Sequence, residues 1–155
     1  MEGQEIERKF LLDRVPAGLG DGLAIEQGYV AIGEDGNEVR VRRHGGELTL
    51  TIKSGPANVR VEEELSLDER RFGALWALTE GRRIEKTRHR VELGDGLVAE
   101  IDVYHGVHDG LLVAEIEFPS QEASERFEAP EWLGREVTGD RRYANQSLAV
   151  DGLPD

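Results

Sequence analysis

Apolar and polar residues alternate along much of the chain. In Glu5-Ile6-Glu7-Arg8-Lys9-Phe10, Ile6 and Phe10 fall on one parity and Glu5, Glu7 and Lys9 on the other. A β-strand sends successive side chains to opposite faces, so a period of two predicts strands with two unlike faces. Similar composition predicts strands over 3–12, 24–32, 37–44, 47–53, 59–66, 83–93, 97–105 and 111–118. Asp35-Gly36, Gly45-Gly46, Gly94-Asp95-Gly96 and Asp109-Gly110 supply hairpin chemistry between them. Helical signals are fewer. Asp68 caps a helix over 69–78, whose apolar side is Leu75, Trp76 and Leu78. Ser120 precedes a second over 121–127, and a third covers 142–150. The fold class expected is α+β, mainly β and antiparallel. No fixed-period repeat or compositional break divides the chain, so 1–155 reads as one domain.

The polar parity is unusual in what fills it. Arg40 and Arg42 lie opposite Val39 and Val41. Lys53 aligns with Thr49 and Thr51, against Leu48, Leu50 and Ile52. Glu62 and Glu64 align, as do Lys86, Arg88 and Arg90, then Glu100, Asp102 and Tyr104, then Glu115 and Glu117. One such strand is what any half-exposed antiparallel strand shows. The whole set is harder to explain by solvation, because the signs segregate: acidic pairs occupy some strands and basic groups others. If the sheet closes into a barrel, one face of every strand shares an interior. Charged faces turned inward make a site; turned outward they leave an ordinary apolar barrel. Parity alone leaves both open.

Charge then bears on the choice. The formal net charge is −13, which repels nucleic acid and anionic lipid at long range. A polyanion would have to find an internal basic pocket. Clustered arginines match phosphate oxygens in pairs, and carboxylates at i and i+2 call for a hard divalent cation such as Mg²⁺ or Mn²⁺. A metal-chelated polyphosphate satisfies both. The chain has no cysteine, which excludes disulfides and thiolate chemistry and suits a reducing cytoplasm. The N-terminus is acidic without an apolar leader, and no apolar run approaches the roughly 20 residues of a membrane span. His105, His108 and Asp109 look like a metal cluster but fall at a predicted hairpin, and read as loop residues. Trp76 and Trp132 read as packing residues.

Glu5-Ile6-Glu7-Arg8-Lys9-Phe10 resembles the ExExK signature of the CYTH superfamily, the triphosphate tunnel metalloenzymes. The resemblance continues in order through Gln27-Gly28-Tyr29, Val39-Arg40-Val41-Arg42, Leu50-Thr51-Ile52-Lys53, Glu62-Glu63-Glu64, Lys86-Thr87-Arg88, Glu100-Ile101-Asp102, Ala114-Glu115-Ile116-Glu117-Phe118 and Arg142-Tyr143-Ala144-Asn145. It implies an eight-stranded antiparallel closed barrel, a tunnel with a charged lumen and a few flanking helices. It implies Mg²⁺- or Mn²⁺-dependent chemistry on triphosphates. Carried over by position, Glu5, Glu7, Asp102, Glu115 and Glu117 would hold metal. Lys9, Arg40, Arg42, Lys53, Lys86 and Arg88 would hold phosphate oxygens. Lys9, Glu62 and Glu64 would act in catalysis, the two glutamates by orienting water or a second metal. Arg141 departs from the pattern, standing where a short bacterial member has Lys; the retained charge implies a phosphate or gating contact at the tunnel mouth.

The substrate expected is inorganic triphosphate, since no added base-binding segment is evident. A class IV-type adenylate cyclase, a thiamine triphosphatase and a nucleoside triphosphatase are the enzymatic alternatives; a polyphosphate-binding module is the non-enzymatic one. The partner expected is a small-molecule triphosphate, with neither nucleic acid nor membrane, and a homodimer is compatible with the pattern.

Overall fold

Every predicted strand forms, with ends displaced by a few residues. The computed structural model describes residues 6–55 and 61–155. Glu5 and the first residues of the strand expected over 59–66 lie outside that range. The strands are β1 (Ile6–Leu11), β2 (Leu23–Ile32), β3 (Glu38–His44), β4 (Glu47–Ser54), β5 (Val61–Ser66), β6 (Arg83–Gly94), β7 (Leu97–Tyr104) and β8 (Leu112–Phe118). The helices are α1 (Glu69–Trp76), α2 (Gln121–Arg126) and α3 (Asn145–Asp151). Asp68 caps α1 by accepting from the Arg71 amide, and Ser120 caps α2 by accepting from the Ala123 amide.

The strands make one eight-stranded sheet in the order β1-β8-β7-β6-β2-β3-β4-β5. All its pairings are antiparallel. Closure into a barrel is the part of the expectation that fails. Among the described residues β1 and β5 are not paired, and the outer edge of β1 is already occupied. The Leu11 amide donates to Arg135 O (2.8 Å), the Gly134 amide to Leu11 O (2.8 Å) and the Val137 amide to Lys9 O (2.8 Å). Gly134 is required there, because a Cβ would lie 2.6 Å from the Leu11 carbonyl oxygen. A strap over 134–137 therefore takes the backbone groups that β5 would need. The strap is anchored by Arg8, whose guanidinium grips both carboxylate oxygens of Glu136 at 2.9 and 2.7 Å. Among the described residues β5 has no strand on its outer edge, and all six of its residues are exposed.

The two faces of the sheet have separate cores. On one, Phe10, Ile101, Ala114, Ile116, Phe118 and Leu133 are buried, with Phe127 and Trp132 packed against them. Phe72 of α1 stacks on Trp76 (5.5 Å between centroids) and lies under Arg43. Both tryptophans are thus packing residues. The second core lies on the charged face, at one end. Tyr29, Ile84, Tyr104 and Val113 meet Leu148 and Ala149 of α3 there. α3 thus sits across the charged face. His108 secures it: the residue is buried, and its Nε2 donates to Leu148 O (2.5 Å). His105 Nε2 instead meets Thr87 Oγ1 at 2.8 Å. No helix among the described residues is long and apolar enough to cross a membrane.

Candidate active site

Directly opposed residues of an antiparallel pair share a face, so the registers decide which charges meet. Glu7 stands opposite Glu117 and Lys9 opposite Glu115. Glu115 stands opposite Glu100. Arg90, Arg88 and Lys86 stand opposite Glu100, Asp102 and Tyr104. Leu23, Ile25 and Gln27 carry the face across β2, where they oppose Arg88, Lys86 and Ile84. Gln27 and Tyr29 oppose Arg42 and Arg40. Arg40 and Arg42 oppose Thr51 and Thr49, and Thr51 and Lys53 oppose Glu64 and Glu62. One face of the sheet therefore carries every predicted site residue on a described strand.

At its centre is a buried ionic cluster. Lys86 Nζ donates to Asp102 Oδ2 at 2.9 Å. Arg88 grips the same carboxylate through Nε (2.8 Å) and Nη2 (3.0 Å). Lys86 is 1% and Asp102 4% exposed. Burial pushes the Lys86 ammonium down to about 8, against the opposing pull of Asp102. Burial works to raise the Asp102 carboxyl, but Lys86 and Arg88 outweigh it and hold it below the usual range. The Arg88 pKa rises, because its bonds to Asp102 exceed the effect of burial. Asp102 thus spends its oxygens on cations of the chain.

Arg42 is placed differently. Burial, then the charges of Arg40 and Arg88, push it down to about 10. Its Nε donates to Gln27 Oε1 at 3.0 Å. Among the described residues it has no carboxylate within ion-pair distance, whereas Arg40 lies 3.8 Å from Glu38. Lys9 Nζ donates to the Tyr143 carbonyl at 3.2 Å, just before α3. Glu38 accepts from Gln146 of α3 (3.3 Å), and Tyr104 donates to Asn145 (2.5 Å). One end of the charged face is therefore tied to the C-terminal segment. On β5, Glu64 accepts from Thr51 Oγ1 (3.4 Å), and Glu62 lies 4.0 Å from Lys53. Arg141 sits exposed on the 3-10 turn Arg141–Tyr143.

The CYTH domain model matches residues 3–148. The chain belongs to the CYTH family. The inorganic triphosphatase of Nitrosomonas europaea is 43% identical over 146 residues, spanning 94% of this chain and 97% of that protein. The inorganic triphosphatase of Acetivibrio thermocellus is 37% identical over 150 residues, spanning 94% and 93%. A crystal structure of an inorganic triphosphatase superposes with a TM-score of 0.80 at 41% identity and covers 97% of each chain.

In this CYTH chain Gln27, Tyr29, Glu38 and Glu100 join the predicted residues on the charged face. Alternation alone assigns Gln27 and Tyr29 no role, since apolar Leu23 and Ile25 share their parity on β2. The available signal was a lone amide between Ile25 and Tyr29 on the otherwise apolar parity of β2. Gln27 is fully buried, so its amide must be satisfied inside the protein.

Proposed function

We propose that this CYTH protein is a metal-dependent hydrolase of triphosphates that converts inorganic triphosphate to pyrophosphate and phosphate. The observation that carries the reading is the meeting of opposed glutamates and buried cations on one face of the sheet. The 43% identity to the Nitrosomonas europaea inorganic triphosphatase supports the choice of substrate.

The donor set fits a hard divalent cation. Glu7 opposite Glu117 and Glu100 opposite Glu115 bring carboxylates together on one face, with Glu100 also 3.7 Å from Arg88 and 3.8 Å from Arg90; facing carboxylates are the oxygen donors a hard divalent cation takes. Among the described residues no three Asp, Glu or His side chains already form an ion site, so binding would draw these pairs together. Glu7, Glu115 and Glu117 would hold Mg²⁺ or Mn²⁺, together with Glu5, two positions earlier in the sequence than Glu7. Asp102, expected in this set, is better used in aiming Lys86 and Arg88. When bound, the cation would neutralise phosphate charge.

The chain's own groups do the remainder. Arg40, Arg42, Lys86 and Arg88 hold the phosphate oxygens from the centre of the sheet, Lys9 from β1 and Lys53 from β4. These cations stabilise the charge that grows on equatorial and leaving oxygens as water attacks in line. Lys9 lies against the transferred phosphoryl group, and Glu62 and Glu64 on β5 orient the water. Arg141, exposed on the turn just before α3, meets substrate at the mouth of the charged groove. The chemistry proceeds in a reducing cytoplasm on a small-molecule substrate.

The test is product analysis with inorganic triphosphate, ATP and thiamine triphosphate, each with Mg²⁺ or Mn²⁺. The highest kcat/KM is expected for inorganic triphosphate. Cyclic AMP with pyrophosphate from ATP would replace this reading with a cyclase. Tight binding without product would replace it with a binding module.

A further inference from the structure

Arg42 is a mostly buried cation held by a neutral partner, and that choice of partner has a consequence for substrate binding. Its Nε donates to Gln27 Oε1 at 3.0 Å. Gln27 in turn donates from Nε2 to Tyr29 Oη at 3.1 Å. Gln27 is 0% and Tyr29 1% exposed, so both are fixed within the sheet. The Tyr29 ring packs in the core built on Leu148. The amide has one workable orientation. Flipped, its NH₂ would face the Arg42 Nε–H, donor against donor, and its oxygen would be the group left facing Tyr29.

This arrangement does two things at once. Using Nε for the amide leaves both terminal nitrogens of Arg42 in the fork geometry that suits two phosphate oxygens. Using an amide rather than a carboxylate leaves the positive charge without a direct ion-pair partner among the described residues. Arg88 shows the contrast, since Asp102 already occupies its Nε and Nη2.

We propose that Gln27 is a positioning residue that aims Arg42 at the triphosphate while keeping it electrostatically free, and that it thereby sets substrate affinity. The proposal rests on the triphosphatase reading and deepens it.

Q27E is the decisive variant. It is nearly isosteric and still accepts from Arg42, but it supplies a carboxylate. Inorganic triphosphate binding by calorimetry and KM for its hydrolysis are measured together, with a thermal melt on each variant. Charge-assisted hydrogen bonds are worth about 1.5–3 kcal/mol, so Q27E should weaken binding and raise KM by roughly ten- to a hundredfold. Its kcat should stay within about threefold, and its melting temperature should not fall. Q27M should also raise KM, because the guanidinium loses its anchor. In an R42M background Q27M should raise KM no further. A Q27E protein that binds triphosphate like the wild type overturns the proposal, as does a Q27M effect that adds fully to R42M. If Q27M does not fold, Q27E alone decides, since it preserves the shape. Wild-type protein that binds no triphosphate by calorimetry would instead sink the triphosphatase reading itself, so the two failures are told apart.

Discussion

Removing the Asp102 carboxylate probes the electrostatic centre of the site. In D102A, Lys86 loses its 2.9 Å bond and Arg88 its bonds of 2.8 and 3.0 Å. The Lys86 side chain is 0% exposed, so its charge is desolvated where the partner is lost. Removing one member of a buried ion pair costs about 3–5 kcal/mol, because the other charge stays buried and uncompensated. For a chain of 155 residues, each kcal/mol lowers Tm by roughly 2–4 °C. D102A should therefore melt about 6–20 °C below the wild type. D102N keeps the shape, loses the charge and should fall between. In both, Lys86 loses the charge that supports its proton and titrates at lower pH than in the wild type. Thermal melts, with urea titrations to check that the m-value is unchanged, make the measurement. A D102A protein melting within about 2 °C of the wild type would refute the reasoning, since the carboxylate would then have no buried cations to compensate.

Glu117 should behave in the opposite way. E117Q relieves the face-off with Glu7, so metal-free protein should be unchanged or up to about 1 kcal/mol more stable, while phosphate release from inorganic triphosphate is largely lost. L148A should cost about 2–5 kcal/mol, because Leu148 is fully buried between α3 and the sheet; a melt checks it. The bond from Arg8 holds the Glu136 carboxyl down at about 2, below its ordinary 4.5. Its stabilisation is present above pH 4.5 and lost as pH falls toward 2. The pair is partly exposed, so the loss should stay under about 1 kcal/mol, and E136Q should remove that slope from acid melts. Lys86 gives a slope of the same sign in a higher window. Its pKa is about 8 in the fold against 10.5 when unfolded, so the unfolded chain holds more protons and stability should rise with pH between those values. K86M should lack that rise.

Strand positions and face assignment were legible because both depend on local alternation. Ile6 and Phe10 against Glu7 and Lys9, or Ile101 against Glu100 and Asp102, need no knowledge of the rest of the chain. Which charges meet depends on register, and register is a long-range property. Glu7 opposite Glu117 joins residues far apart in sequence. The open sheet was not legible for the same reason. Gly134-Arg135-Glu136-Val137 lacks a clear alternating pattern, yet it takes the β1 edge before β5 can. The place of α3 was hidden too. Leu148 and Ala149 announce an apolar helix face, but the apolar patch that receives it comes from Tyr29, Ile84, Tyr104 and Val113, on strands whose charged neighbours dominate the pattern. Asp102 differs from Glu117 only in what surrounds it. Both alternate with apolar residues, but Asp102 has Lys86 and Arg88 beside it and Glu117 has Glu7.

The division of the charged face into a metal-holding acidic side and a phosphate-holding basic centre is tested most directly by crystallography with Mn²⁺ and a non-hydrolysable triphosphate analogue. Anomalous scattering should place manganese against Glu7, Glu115 and Glu117. The analogue's oxygens should lie within about 3 Å of guanidinium nitrogens of Arg40 and Arg42, with Lys86 and Arg88 beside them. Manganese on the opposite face of the sheet, or an analogue bound away from Arg42, would contradict the account.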